Sequence, residues 1–342
     1  MAKSPLIFPF GQPPERTEAI QVAPGVRWLR MPLPFKLDHI NLWLIEEAAG
    51  WAMIDTGLAS QETRDLWEAS FPKILDGRPI SRIICTHFHP DHMGLAGWHA
   101  QRWGVDCWAS LGDWAFGRML SVEDSPDFHA LQLEFYRQCG FGQREIELVR
   151  ERGNPYSKRV VPPPPSFCRL KGGTSLMLGG VSWRLIEGNG HSPEHISLYS
   201  HDLKLLISGD QILPKISPIV GVWPQDHETD QLGLFLATLD RFRDLPADTL
   251  VLPSHGLPFK GLHDRLDQLA HHHDQRLLET LEACRQPQTA AEMVKVLFKR
   301  ELDMQETIFA ASESLAHLHY LTGKGLLARE EDAQGIWLWR RA

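Results

Sequence analysis

The segment Thr86-His87-Phe88-His89-Pro90-Asp91-His92 puts three imidazoles and a carboxylate within six residues, directly after the apolar run Ser81-Arg82-Ile83-Ile84-Cys85. A β-branched run that ends in a polar cluster and Gly94 predicts a buried strand whose loop opens a helix. Loops at strand ends can aim side chains from a rigid sheet. His87 and His89 alternate with Phe88, so both can face one cavity. Asp91 and His92 lie past Pro90, where the chain must turn, and can face a second point close by. One segment can therefore feed two adjacent metal ions. Four ligand-type side chains at this spacing are hard to obtain by chance.

Three further strand ends carry a lone ligand-type residue beside a glycine. Gly188-Asn189-Gly190-His191 precedes an expected strand at 196–200, Gly209-Asp210 closes one at 203–208, and Ser254-His255-Gly256 follows one at 249–252. Earlier, Trp51-Ala52-Met53-Ile54 runs into Asp55-Thr56-Gly57, at the same sheet edge. A dinuclear site needs about three protein ligands per ion, a bridging carboxylate and open positions for water and substrate. His87, His89 and His191 would hold the first ion, and Asp91, His92 and His255 the second, with Asp210 as the bridge. Two cations ~3.5–4 Å apart share a water and lower its pKa toward ~7. The reaction class implied is metal-assisted hydrolysis, with Asp91 also orienting the attacking water. Asp55 is expected behind the ligands, steering them rather than binding metal.

Other polar residues are read more plainly. His195 is taken as an ordinary loop residue, and His39 as a half-exposed strand histidine that alternatively approaches substrate. His271-His272-His273 is read as a solvated helix face, because consecutive helical residues point around the axis. Trp98, Trp103, Trp108, Trp114 and Phe116 are assigned to helix-on-sheet core, with an apolar acyl pocket as the alternative.

Strands come first, then strand and helix alternate, which means helices packed on sheet. Residues 112 to about 153 interrupt the alternation with two or three helices, and Pro162–Pro165 follow as a stiff tether. This insertion is either a lid over the site or a peripheral decoration or homodimer contact. Residues 1 to about 23 are expected as an irregular arm. From Gly261 a long amphipathic helix, two shorter helices (Thr289 capping the first) and a terminal β-ribbon give the order of a winged helix. The expected domains are 1–260 and 261–342.

The formal charge of −8 and pI near 6.1 leave no global basic field for a polyanion. Lys295, Lys299, Arg300, Lys324 and Arg329 in the tail are offset by Glu301, Asp303, Glu306, Glu330, Glu331 and Asp332. Five scattered cysteines without a CxxC suit a reducing compartment. The N-terminus shows no signal-peptide pattern, and no run approaches a membrane span. The expected location is the cytoplasm.

The pattern HxHxDH with downstream Gly-His, Gly-Asp and Ser-His-Gly (His87, His89, Asp91, His92, His191, Asp210 and His255), preceded by Asp55-Thr56-Gly57, resembles the metallo-β-lactamase superfamily over about residues 20–260. The resemblance implies an α/β fold, the αββα sandwich of two sheets flanked by helices, with two divalent metal ions at the sheet edges. The ligand set suits zinc and would also take iron or manganese. Asp210 as a bridge implies the glyoxalase II-like subgroup. The tail from Gly261 is similar to the winged-helix extension of the lactamase-beta-like protein 2 group, and the insertion at about 112–170 departs from that group's compact members. The activity expected is attack by a metal-bridging hydroxide on an ester or thioester carbonyl of a small acyl substrate. The alternatives are an endoribonuclease acting on single-stranded RNA, and a lactonase or weak β-lactamase.

Overall fold

The computed structural model describes residues 6–342. A seven-stranded sheet follows sequence order: β1 (Ile20–Ala23), β2 (Val26–Pro32), β3 (His39–Glu47), β4 (Gly50–Ile54), β5 (Ile80–Ile84), β6 (Cys107–Ala109) and β7 (Cys168–Arg169). Strands β1 to β4 pair antiparallel, and β4 to β7 pair parallel. The second sheet holds β8 (Ser175–Leu178), β9 (Val181–Gly188), β10 (His195–Ser200), β11 (Leu205–Gly209) and β12 (Leu250–Pro253), in the order β12-β11-β10-β9-β8. Only its β11–β12 pair is parallel.

Both faces of β3 are apolar, and the period of two sends them to different cores. Ile40, Leu42 and Leu44 meet helices α1 (Gln61–Ile74) and α3 (Ala96–Trp103), whereas Trp43 and Ile45 face the second sheet. Between the sheets Trp28 stacks on Trp43 with ring centroids 6.1 Å apart. Ser60 caps α1 by accepting from the Thr63 N–H at 3.0 Å. Trp67 of α1 donates to the Thr56 carbonyl at 2.9 Å, which pins the Asp55-Thr56-Gly57 turn to the helix.

The helix expected to open from the 86–92 loop forms in two pieces: the chain makes the short α2 (Pro90–Met93), then breaks before α3. The break lets Gly94 cross the Asp55–Gly57 turn, where a Cβ would lie 2.6 Å from the Gly57 oxygen. The arm is less irregular than expected, because β1 pairs with β2 and Ile7 bridges to Lys260. Its first five residues lie outside the described residues.

The insertion folds as α4 (Leu111–Val122), α5 (Pro126–Gln138) and α6 (Gln143–Arg152). Phe135, Tyr136, Phe141 and Val149 join one core with the helices outside the second sheet, α7 (Gln231–Leu239) and α8 (Leu262–Ala283). That core continues into the tail: α9 (Ala290–Leu297), α10 (Met304–Gly323) and the ribbon β13 (Leu327–Glu331) and β14 (Trp337–Arg341). Phe135 packs edge-on against Trp337 at 6.0 Å, and Arg137 donates to the Gln334 carbonyl. The insertion is thus wedged between catalytic sheets and tail. Thr289 with Glu292, and Asp303 with Glu306, form reciprocal caps that start α9 and α10. The aromatic residues assigned to core lie there: Trp98, Trp103, Trp114 and Phe116 flank the helix-on-sheet core, and Trp108 flanks the inter-sheet core.

His273 corrects the solvated-face expectation for 271–273. It is fully buried, with Nδ1 3.3 Å from His317 Nε2, while His317 Nδ1 donates to the Glu313 carbonyl at 2.8 Å. Burial pushes His273 down to about 2 and His317 down to about 4. Both are therefore neutral when folded, and below about pH 6.5 the unfolded chain binds more protons. Stability should fall as pH drops through that window. Between pH 7 and 5 each histidine should account for a loss of about 2 kcal/mol. Urea denaturation of His317→Gln at the two pH values should show a correspondingly smaller loss than the parent; an equal loss would contradict neutral burial.

Among the described residues no helix is long and apolar enough to cross a membrane.

Candidate metal centre

Five strand ends meet at one edge of the sandwich. Asp55 follows β4, the 86–92 loop follows β5, His191 lies between β9 and β10, Asp210 follows β11 and His255 follows β12. Two glycines permit the approach. Gly190 has φ +88°, and a Cβ there would sit 2.3 Å from the Gln231 oxygen; Gly209 has φ +53°, and a Cβ there would sit 2.3 Å from His195 Nε2. Only glycine tolerates both the backbone angle and the contact.

The seven side chains singled out from the sequence all converge. Ligand-type atoms of His87, His89 and His191 lie within 4.8 Å of one another, as do those of His87, His92 and Asp210, and those of Asp91, His92 and His255. His87 Nε2 faces His89 Nδ1 at 3.0 Å and His191 Nε2 at 3.2 Å. Asp210 reaches both sides: its Oδ1 is 3.4 Å from His92 and 3.3 Å from His255, and its Oδ2 is 3.6 Å from His191. Asp91 Oδ2 lies 3.4 Å from His255 Nε2.

The groups behind these residues decide which ring nitrogen faces inward. His92 Nδ1 donates to Asp55 Oδ2 at 2.8 Å, His255 Nδ1 to the His39 carbonyl at 2.7 Å, and His191 Nδ1 to the Ile219 carbonyl at 2.7 Å. Each leaves an Nε2 lone pair aimed at the centre, the arrangement a metal ligand requires. Asp55 is itself held by the Thr86 N–H at 2.7 Å and the Thr86 hydroxyl at 2.8 Å. It sits at φ 61°, a left-handed conformation that Asp tolerates better than most residues.

Electrostatics divides the centre into two halves. Burial pushes His87 far down, and it brings His89 to about 3, with the neighbouring imidazoles adding to the effect. Burial opposes charge on His92 and His255 too, but there Asp55, Asp91 and Asp210 win: His92 is raised well above its usual value, and His255 to about 10. Asp91 shows the converse, since burial would raise it and the His92 charge and the His255 hydrogen bond bring it down to about 2.

Those residues also fit a cation on a separate ground. His92 Nε2 and Asp210 Oδ1 are buried with no hydrogen-bond partner although they face one another. Orphaned buried polar atoms each cost about 1–3 kcal/mol. A donor set of imidazoles and carboxylates around that gap is what zinc, iron or manganese accepts.

Three residues were misjudged or missed. His195 is no ordinary loop residue: it starts β10, is fully buried beneath His87 (ring centroids 5.0 Å), and its Nε2 accepts from the Asp210 N–H at 3.2 Å. His39 is a part-exposed strand histidine at the start of β3, as expected, but its supporting role was missed: its Nε2 accepts from the Gly256 N–H at 2.9 Å and its ring lies edge-on to His255 at 6.2 Å. Asp113 of α4 accepts from the Phe88 N–H at 3.0 Å and the Glu194 N–H at 3.1 Å, tying the 86–92 loop to the loop carrying His191. The Ser110-x-x-Asp113 spacing signals its capping role but not its reach to Phe88.

Residues 36–255 match the family model described as the metallo-beta-lactamase superfamily. The chain belongs to the metallo-beta-lactamase superfamily. Homologues in this superfamily are metallo-hydrolases, the superfamily typically carries a dinuclear metal site, and the His/Asp groups here could hold metal. Residues 277–342 match the metallo-beta-lactamase-like C-terminal domain. A beta-lactamase domain protein from Burkholderia ambifaria is 42% identical, with a TM-score of 0.92 and 98% of each chain covered. The linear primary-alkylsulfatase of a Pseudomonas species is 27% identical over 268 residues, which span 68% of this chain and 46% of the sulfatase. This superfamily chain thus spans about half the length of that relative. The beta-lactamase-like protein 2 homolog of Caenorhabditis elegans is 21% identical, over 89% of this chain and 82% of its own.

Proposed function

We propose that the protein hydrolyses an ester or thioester of a small acyl substrate at a dinuclear metal centre of the glyoxalase II-like kind, most naturally zinc. His87, His89 and His191 would hold one ion, Asp91, His92 and His255 the other, and Asp210 both. The observation that carries this reading is the set of inward-facing ligand atoms from five strand ends, with Asp210 in reach of both halves. Bound there, the ions supply a water of lowered pKa and a Lewis-acid hold on the carbonyl.

The chain's own residues do the rest. Asp55, the His39 carbonyl and the Ile219 carbonyl hold the ring protons on Nδ1, so each Nε2 stays free. His195 fixes the Asp210 backbone. Asp91, more exposed than Asp210, orients the attacking water through a carboxylate oxygen. Asp55→Ala should weaken binding of the metal held by His92 by about 10–100-fold, because it frees the ring and leaves the Thr86 N–H unpaired. Titration against a chromophoric chelator measures this; unchanged affinity would remove Asp55 from the positioning role.

A small acyl substrate is favoured over RNA by the state of the tail's basic residues. Arg300 is paired with Glu306 at 2.9 Å, Arg329 with Glu228 at 3.0 Å, and Arg340 with Glu330. A second reading, cleavage of a linear alkyl sulfate, is favoured by the likeness to the Pseudomonas alkylsulfatase. The test is a hydrolysis panel on metal-loaded protein: acyl thioesters, aryl esters, lactones, a cephalosporin, a linear alkyl sulfate and a labelled single-stranded RNA. Ester or thioester turnover that disappears in Asp210→Ala supports the first reading. Sulfate release or RNA cleavage without acyl turnover overturns it.

A further inference from the structure

Residues 156–162 run as a strap alongside the 86–97 segment. The Tyr156 hydroxyl donates to the Phe88 carbonyl at 2.5 Å, and the Val161 N–H donates to the Gly94 carbonyl at 2.8 Å. The Arg159 carbonyl accepts from the Ala59 N–H at 3.1 Å, which fixes the Arg159 backbone beside the Asp55–Gly57 turn. Its guanidinium is half-buried, 4.9 Å from the centre of the Phe35 ring, and donates to Gln305 Oε1 at 3.2 Å. Three segments distant in sequence, namely the strap, the β2–β3 loop and the start of α10, thus build its setting.

What this setting lacks is a counter-charge. Among the described residues Arg159 forms no ion pair with a carboxylate, although Lys36 and Arg300 nearby share Glu306 at 2.8 and 2.9 Å. Arg152, at the end of α6, is likewise half-buried and in no ion pair. Burial lowers both guanidinium pKa values; the Arg159 charge lowers Arg152 further, and Asp91 at the metal centre partly offsets the fall at Arg159. Two half-buried, like-charged guanidiniums with no carboxylate carry a desolvation cost that a bound anion would partly recover. The strap that carries Arg159 is hydrogen-bonded to the ligand-bearing 86–97 segment through Tyr156 and Val161, so an anion taken by Arg159 would belong to a molecule bound beside the metal centre.

We infer that Arg159, supported by Arg152, binds an acid group on the substrate, which makes the substrate an anionic ester or thioester held between the metal centre, the insertion and α10. This rests on the hydrolase reading above. Guanidinium planes recognise carboxylate, sulfate and phosphate through paired N–H donors, and Gln305 leaves most of the Arg159 donors free.

The test compares mono-4-nitrophenyl succinate with 4-nitrophenyl butyrate, esters of similar length that differ by one carboxylate, on the full metal-loaded chain. For Arg159→Ala the succinate-to-butyrate ratio of kcat/KM should fall about tenfold or more, carried by KM. Arg159→Lys should recover part of it and Arg152→Ala should lower it less. A ratio within about twofold of the parent in Arg159→Ala would overturn the inference. Calorimetric titration with glutarate runs beside it. Should neither ester turn over, the ester reading fails while the titration still judges Arg159: about tenfold weaker glutarate binding in Arg159→Ala, partly restored in Arg159→Lys, supports an anion subsite, and equal binding refutes it.

Discussion

Asp210→Ala is expected to cost the protein part of its metal and about three orders of magnitude in turnover. Asp210 is the side chain that touches both halves of the centre, 3.3 and 3.4 Å from His255 and His92 through Oδ1 and 3.6 Å from His191 through Oδ2. Its loss removes the negative charge that would sit between two cations, and among the described residues Asp91, which reaches His92 and His255, forms no pair with His191 to replace it. His92 and His255 would then lean on Asp55 and Asp91 alone. Metal content by elemental analysis and kcat on the best substrate of the panel measure the two effects, with circular dichroism confirming the fold. Asp210→Asn, which keeps shape and one acceptor oxygen, should fall between. Full metal occupancy with turnover within about tenfold of the parent would refute the bridging role.

Trp339→Ala should carry the largest stability cost, about 3–5 kcal/mol. Trp339 is fully buried in β14, with Trp337 edge-on at 6.2 Å and His319 at 6.2 Å. A loss of that size is a large share of the ~5–15 kcal/mol that holds a typical domain. The core it belongs to runs without a break from the tail through α8 to the insertion. Denaturation should therefore show one transition shifted to lower urea, not an early transition of the tail alone. Trp339→Phe should cost less, since the indole N–H has no partner to lose. A separate early transition would mean that tail and sheets are energetically independent.

The convergence of the candidate ligands was legible because these ligand-type residues sit at strand ends, where a short apolar run followed by His or Asp and Gly is readable one segment at a time. Asp55 apart, the supporting residues were not legible, because their roles depend on segments far away in sequence. His195 lies four residues past His191 in a polar loop, and nothing local says that Asp210 will place its N–H against it. His39 is defined by Gly256, 217 residues on. For His273 a signal did exist: Leu262, Leu266, Leu269, His273 and Leu277 share the helical spacing of the buried stripe of α8. The three adjacent histidines drew attention to the run instead of to its phase. The insertion's helices were readable from their pattern, but not its docking, since the apolar residues Phe135, Tyr136 and Phe141 meet partners more than 80 residues away.

The strap at 156–162 bears on how such proteins can diversify. It ties the loop that carries four candidate ligands to a helical wedge, and the wedge to the tail. A tail exchanged with that of a relative would have to match the wedge, and a new wedge would have to match Phe88 and Gly94. Insertion, tail and catalytic loop are therefore expected to be inherited as one unit, and recombination that cuts between them should yield chains that fold poorly before they lose specificity.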